Sequence, residues 1–150
     1  MQLSPVLISD LDGTIAFIAT DDVGSPVRLF NDFAQSGSDI PNQKVVSLIK
    51  AWYSLMEDSE IYFVTNRDAR WRDVTVRWLV KLFPPGEYSW TLRMRPTNDS
   101  LSSAAGAKEN HLVGEIMKYY SVHQVWEDDK DCILMYKLHD LLVFDAKETW

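Results

Sequence analysis

The chain has 150 residues, 46% hydrophobic and 25% charged, with six Trp, six Tyr and six Phe; this suits one globular domain and excludes a disordered tail. A formal net charge of −7 excludes a surface uniformly attractive to nucleic acid or anionic membranes, so any phosphate-bearing partner has to be met by a local patch. Cys132 is the only cysteine, which excludes an internal disulfide, and no apolar run is long enough to cross a bilayer; with a first strand too near the N-terminus to leave room for a signal peptide, the expectation is a cytoplasmic protein without membrane contact.

"PVLIS" (5–9) is short, apolar and followed by a turn, the pattern of a buried parallel strand. Residues 17–42 hold "DDVGSP" and "QSGSDIP" and read as loop, with a short helical turn around Phe30–Phe33. Val45, Leu48, Ile49, Trp52 and Leu55–Met56 recur at helical spacing over 43–56, with Pro41 upstream. "IYFVT" (61–65) is a second strand, and 69–83 an amphipathic helix closed by Pro84-Pro85-Gly86. "TLRM" (91–94) is a third strand. Residues 107–120 form a helix with Leu112, Val113, Ile116 and Met117 as its core stripe. "VHQVW" (122–126), a helix over 130–138 and "LLVF" (141–144) complete the series. Strands alternating with helices predict an α/β fold: a five-stranded, mainly parallel sheet with helices on both faces, in one domain over 1–150, where 15–42 leaves space for little more than a flap.

In such a sheet ligands sit beyond the carboxyl ends of the strands. The first strand delivers Asp10-Leu11-Asp12-Gly13-Thr14 there, the second Thr65-Asn66-Arg67, and the fourth Glu127-Asp128-Asp129; Lys108 follows the third at a helix start. Carboxylates gathered at one edge raise each other's pKa or demand a cation, and hard oxygen ligands suit Mg²⁺. Thr65 and the amides after it are expected at a helix N-terminus, a cradle for a phosphoryl group, with Asn66 beside it and Lys108 adding positive charge. Arg67 sits next to that loop and is the candidate substrate contact, with Arg93 and Arg95 as weaker ones. The three histidines lack metal-ligand spacing, and Cys132 lies in an apolar stripe, buried and inert.

With "DLDGT", "VTN", Lys108 and "EDD" in this order, the sequence resembles the haloacid dehalogenase-like phosphatases, and most closely the 3′-phosphatase domain of bacteriophage polynucleotide kinases, notably in "RMRPTND" ahead of Lys108. The resemblance implies a three-layer Rossmann-like core with a minimal cap. It implies that Asp10 is the nucleophile and forms an aspartyl-phosphate, and that Asp12 protonates the leaving oxygen and then activates water. It also implies Mg²⁺ held by the Asp10 carboxylate, the Asp12 carbonyl and the Asp128–Asp129 pair, with Asp129 the favoured direct ligand, and a phosphoryl group bound by Thr65, Asn66 and Lys108. The substrate expected is a phosphorylated nucleotide or a nucleic-acid 3′ end.

One departure stands out. The resemblance leads one to expect a basic side chain in the flap, yet the stretch reads "IATDDV", leaving Arg28 to supply it from further along. No G-x-x-x-x-G-K-[ST] loop occurs within these residues, so a stand-alone phosphatase is expected. Mononucleotides, or other phosphorylated substrates, are the competing substrates. A catalytically silent phosphate-binding domain is the competing class; the pairing of Asp10 with Asp12 argues against it, since a binder has no use for a general acid.

Overall fold

The structure, a computed structural model, describes residues 2–150. In chain order the elements are β1 (Ser4–Ser9), β2 (Ala16–Phe17), β3 (Ile40–Pro41), α1 (Gln43–Leu55), β4 (Glu60–Asp68), α2 (Arg72–Leu82), β5 (Trp90–Arg95), α3 (Ala104–His111), α4 (Met117–Tyr119), β6 (Tyr120–Glu127), α5 (Lys130–Leu138) and β7 (Val143–Asp145). A π-helical turn, Leu112–Ile116, joins α3 to α4, and a 3₁₀ turn, Phe33–Ser38, precedes β3.

Five strands form one sheet of order β5-β4-β1-β6-β7, and every neighbouring pair is parallel. The chain builds outward from β1 through β4 to β5, then crosses back to lay β6 and β7 on the other side of β1. That reversal opens a crevice at the carboxyl end of β1. The strands are apolar because both faces are covered. Leu7, Ile61, Phe63 and Leu92 face one core, with Val45 and Ile49 of α1 and Trp78 and Leu79 of α2. Val6, Ile8, Tyr62, Val64 and Val125 face the other, with Leu112, Ile116, Met135 and Tyr136. Each such side chain contributes ~2 kcal/mol of transfer free energy by leaving water. The result is a three-layer Rossmann-like α/β fold.

The sequence reading placed the five main strands and four helices, with differences at the boundaries. β4 continues to Asp68, and the helix predicted over 69–83 begins as a 3₁₀ turn, Ala69–Trp71, before α2. Thr65, Asn66 and Arg67 therefore lie on the extended end of a strand, not at a helix N-terminus. The stretch read as loop is folded on itself: β2 pairs antiparallel with β3, and the 3₁₀ turn falls at Phe33–Ser38, three residues later than expected. Trp78 donates from Nε1 to the Asp39 carbonyl at 2.8 Å, fastening this flap to α2. Among the described residues, no helix is long and apolar enough to cross a membrane.

Candidate active site

The site is assembled from the loop after β1, the carboxyl ends of β4 and β6 with the residues that follow β6, and α3. Asp10 follows β1 directly, and its amide donates to the Trp126 carbonyl of β6 at 3.0 Å, which seats it between strands. It is 6% exposed. Lys108, 2% exposed on α3, reaches it with Nζ to Oδ1 at 2.8 Å and Glu127 Oε2 at 2.6 Å. Thr14 donates from Oγ1 toward Asp10 Oδ2 at 3.2 Å and Asp128 Oδ1 at 3.1 Å. Asp10, Glu127 and Asp128 each place a carboxylate oxygen within 4.8 Å of the others.

Three acids around one ammonium leave negative charge unbalanced. Burial pushes Asp10 up, but the charge of Lys108 and the bonds it accepts prevail and hold it below the usual carboxylate range. Lys108 is driven well above the ordinary lysine value, because Asp10 and then Glu127 outweigh its burial. Asp128 is pushed up to about 7, by burial first and by Asp10 second. Glu127 is pushed up to about 8 by burial and the charge of Asp10, against the pull of Lys108. Its carboxylate already accepts from Lys108 and from the amides of Asp128 and Asp129 at 3.1 and 3.2 Å. Asp10 and Asp128 are thus the acids available to a cation, and hard oxygens at a surplus of negative charge fit Mg²⁺.

Asp129, the favoured direct ligand on sequence grounds, lines the same cavity but has one carboxylate oxygen, Oδ1, engaged at the start of α5. It is the N-cap of α5, accepting the amides of Asp131 and Cys132 at 3.0 and 2.9 Å. Those bonds, the Cys132 amide foremost, hold it below the usual range despite partial burial. Gly13 explains how Asp128 comes in so closely: its φ is +81°, and a Cβ there would stand 2.3 Å from Asp128 Oδ2.

Asp12 is gripped from the flap side. Arg67 donates to it from Nε and Nη2 at 2.9 and 2.8 Å, and Arg67 is only 1% exposed. Arg67 is therefore a brace for Asp12, and it also lines the cavity in which the sequence places it as a substrate contact. Its Nη2 also meets Asp39 at 3.0 Å, and Asp39 pairs bidentately with Arg28 at 2.7 and 2.8 Å. Arg28 in turn lies 3.6 Å from Asp12, so the flap does bring a basic group to the site. Nothing in "SGSDIP" marks Asp39 as a partner for two arginines; only the fold brings them together. Arg93 pairs with Glu115 at 2.7–2.8 Å and Arg95 bonds the Asp99 carbonyl, and neither lines the site cavity.

Asp10, Asp12, Thr65, Asn66, Arg67, Lys108, Asp128 and Asp129 all line one cavity of about 500 Å³. The Thr65 hydroxyl accepts the Arg67 amide at 3.1 Å, and its proton meets no protein acceptor among the described residues. Asn66 Oδ1 is buried without a partner, the kind of orphaned polar atom that a ligand satisfies. Burial pushes the Cys132 thiol up, as an inert core cysteine requires.

A family model described as "Polynucleotide kinase PNKP phosphatase domain" matches residues 4–149. Two solved structures share the fold at 23% identity with a TM-score of 0.78 over 95% of this chain: one of the Pnkp1/Rnl/Hen1 RNA repair complex and one of the Pnkp1/Rnl/Hen1 complex. The chain covers 42% and 46% of those chains, less than half their length. No curated protein matches the sequence.

Proposed function

Because the chain belongs to the family of polynucleotide kinase phosphatase domains, we propose that it is a Mg²⁺-dependent phosphomonoesterase. It acts as a single domain, through an aspartyl-phosphate, on phosphates at nucleic-acid 3′ ends. The observation that carries the reading is the shared cavity in which Asp10, bonded to Lys108, faces Asp12, held by Arg67.

An Asp10 oxygen attacks phosphorus, and the bond to the ester oxygen breaks as that oxygen takes a proton from Asp12. A water then gives its proton back to Asp12 and attacks the same phosphorus; phosphate leaves, and the Asp10 carboxylate is restored. Lys108 and the Thr65 hydroxyl neutralise and orient the phosphoryl oxygens, with Asn66 beside them. Arg67 occupies one lone-pair position on each Asp12 oxygen, leaving others for the proton in transit. Asp10 and Asp128, with the Asp12 backbone carbonyl, would hold Mg²⁺, which supplies charge neutralisation for an anionic nucleophile approaching an anionic phosphate.

The experiment is phosphate release from 3′-phosphorylated oligonucleotides, 5′-phosphorylated ones, mononucleotides and phosphopeptides, with Mg²⁺ and with a chelator. The reading expects Mg²⁺-dependent turnover of 3′ ends that disappears in Asp10→Asn. Turnover of mononucleotides alone would replace the polymer by the monomer as substrate. Metal-dependent binding of the whole panel without release would make the domain a phosphate binder.

A further inference from the structure

The phosphate cavity does not end at Asp12. Asp12, Gly13, Phe30 and Trp150 also line a second cleft of about 550 Å³ on the flap side, walled further by Phe17, Ile18 and Arg28. Its mouth holds two large aromatic side chains left in solvent, Phe30 at 70% and Trp150 at 62% exposure. Neither is loosely placed. Trp150 Nε1 donates to the Gly13 carbonyl at 3.0 Å, and Phe17 meets its ring edge-on at 5.9 Å. The Phe30 carbonyl accepts from Arg28 at 2.9 Å, and its ring meets Phe33 at 6.2 Å.

We propose that this cleft is a nucleobase subsite, in which the base of the nucleotide losing its phosphate stacks against Phe30 and Trp150. The inference rests on the phosphatase reading, through one geometric requirement. The leaving oxygen has to reach Asp12 to take up a proton, so whatever that oxygen carries begins at Asp12, and Asp12 is where the cleft begins. The lining then selects what fits. Its charged side chains are Asp12 and Arg28, and Arg28 is already paired with Asp39. The hydroxyls of a bare sugar find few partners on such walls, whereas a flat ring offers its faces to aromatic side chains. Beyond these two the lining side chains are apolar or aromatic, and the one further donor, Trp150 Nε1, is taken by the Gly13 carbonyl, so recognition is by stacking and tolerates all bases.

The test uses Asp10→Asn protein with Mg²⁺, titrated with adenosine 3′-monophosphate and with the same sugar phosphate lacking its base. Stacking on an aromatic side chain is worth ~1–3 kcal/mol per base, so the nucleotide should bind about tenfold tighter. Phe30→Ala and Trp150→Ala should each shrink that preference, and Phe30→Trp should keep it. Both positions are exposed enough for the variants to fold. Equal affinity for the two ligands, or a preference untouched by both alanine variants, overturns the subsite. Turnover of 3′ ends without base preference removes the subsite and leaves the phosphatase; base preference without turnover in the unaltered protein does the reverse.

Discussion

Arg67 holds Asp12 by both carboxylate oxygens, at 2.9 and 2.8 Å, from a strand end 55 residues away in sequence. A planar guanidinium meeting a carboxylate in this manner fixes its plane as well as its position. Asp39 ties Arg67 to Arg28, and Arg28 closes the ring at 3.6 Å from Asp12, so two acids and two bases balance out of water. The flap is thereby coupled to the acid–base group of the proposed reaction.

Arg67→Lys keeps the charge and loses the fork. The expected outcome is a kcat lower by about 10²-fold from misplacement of Asp12, with KM within a few-fold because Lys108 and Thr65 are untouched. Steady-state kinetics on a 3′-phosphorylated oligonucleotide separates this from a direct substrate contact, which would raise KM instead.

Asp39→Ala strips a shared partner from two buried guanidiniums. Its side chain is 1% exposed, so Arg28 loses its bidentate partner out of water while Arg67 keeps Asp12, and a loss of about 3 kcal/mol follows. Thermal melting should fall by about 10 °C for a domain of this size. An unchanged melting point would mean that solvent reaches Arg28 and Arg67.

Much of this fold was legible because strands buried on both faces announce themselves as short apolar runs, as "PVLIS" and "IYFVT" do. The gathering of Asp10, Lys108 and Asp128 followed from asking what each strand delivers at its carboxyl end. Harder to read from the sequence is the choice proposed here between chemically identical neighbours. Asp128 and Asp129 differ only in where α5 starts, and the signal was present: Asp129 immediately precedes the helical run, as an N-cap does. The fate of Arg67 was not readable at all, since Asp39 lies in a loop with no periodicity to place it.

That pair gives a direct test. Asp128→Asn should abolish Mg²⁺-dependent turnover, whereas Asp129→Ala should cost about 1 kcal/mol of stability through the lost cap and keep the Mg²⁺ requirement. Kinetics with a metal titration, run beside thermal melts, distinguishes the two. A reversal of these phenotypes would restore Asp129 as the ligand.

Gly13→Ala should damage the site twice over. The +81° φ is unfavourable for an L residue, and the new methyl falls 2.3 Å from Asp128 Oδ2, so Asp128 has to leave the cluster. Mg²⁺ affinity measured by calorimetry should drop by more than tenfold while circular dichroism shows the fold retained. Undiminished affinity would show that Asp128 is dispensable for the ion.

The raised Asp128 also sets a pH dependence. With its folded value near 7 against an ordinary 3.8, the metal-free native state holds a proton that the unfolded chain has released. Its contribution therefore destabilises the metal-free protein above pH 7, and the penalty is relieved as pH falls from about 7 toward 4. A divalent ion does the proton's work at high pH and competes with it at low pH, so Mg²⁺ affinity should fall by up to about tenfold per unit below pH 7. Melting curves in chelator and in Mg²⁺ should differ more at pH 8 than at pH 6. Equal Mg²⁺-induced shifts at the two pH values would mean that Asp128 is ionised throughout and some other group balances its charge.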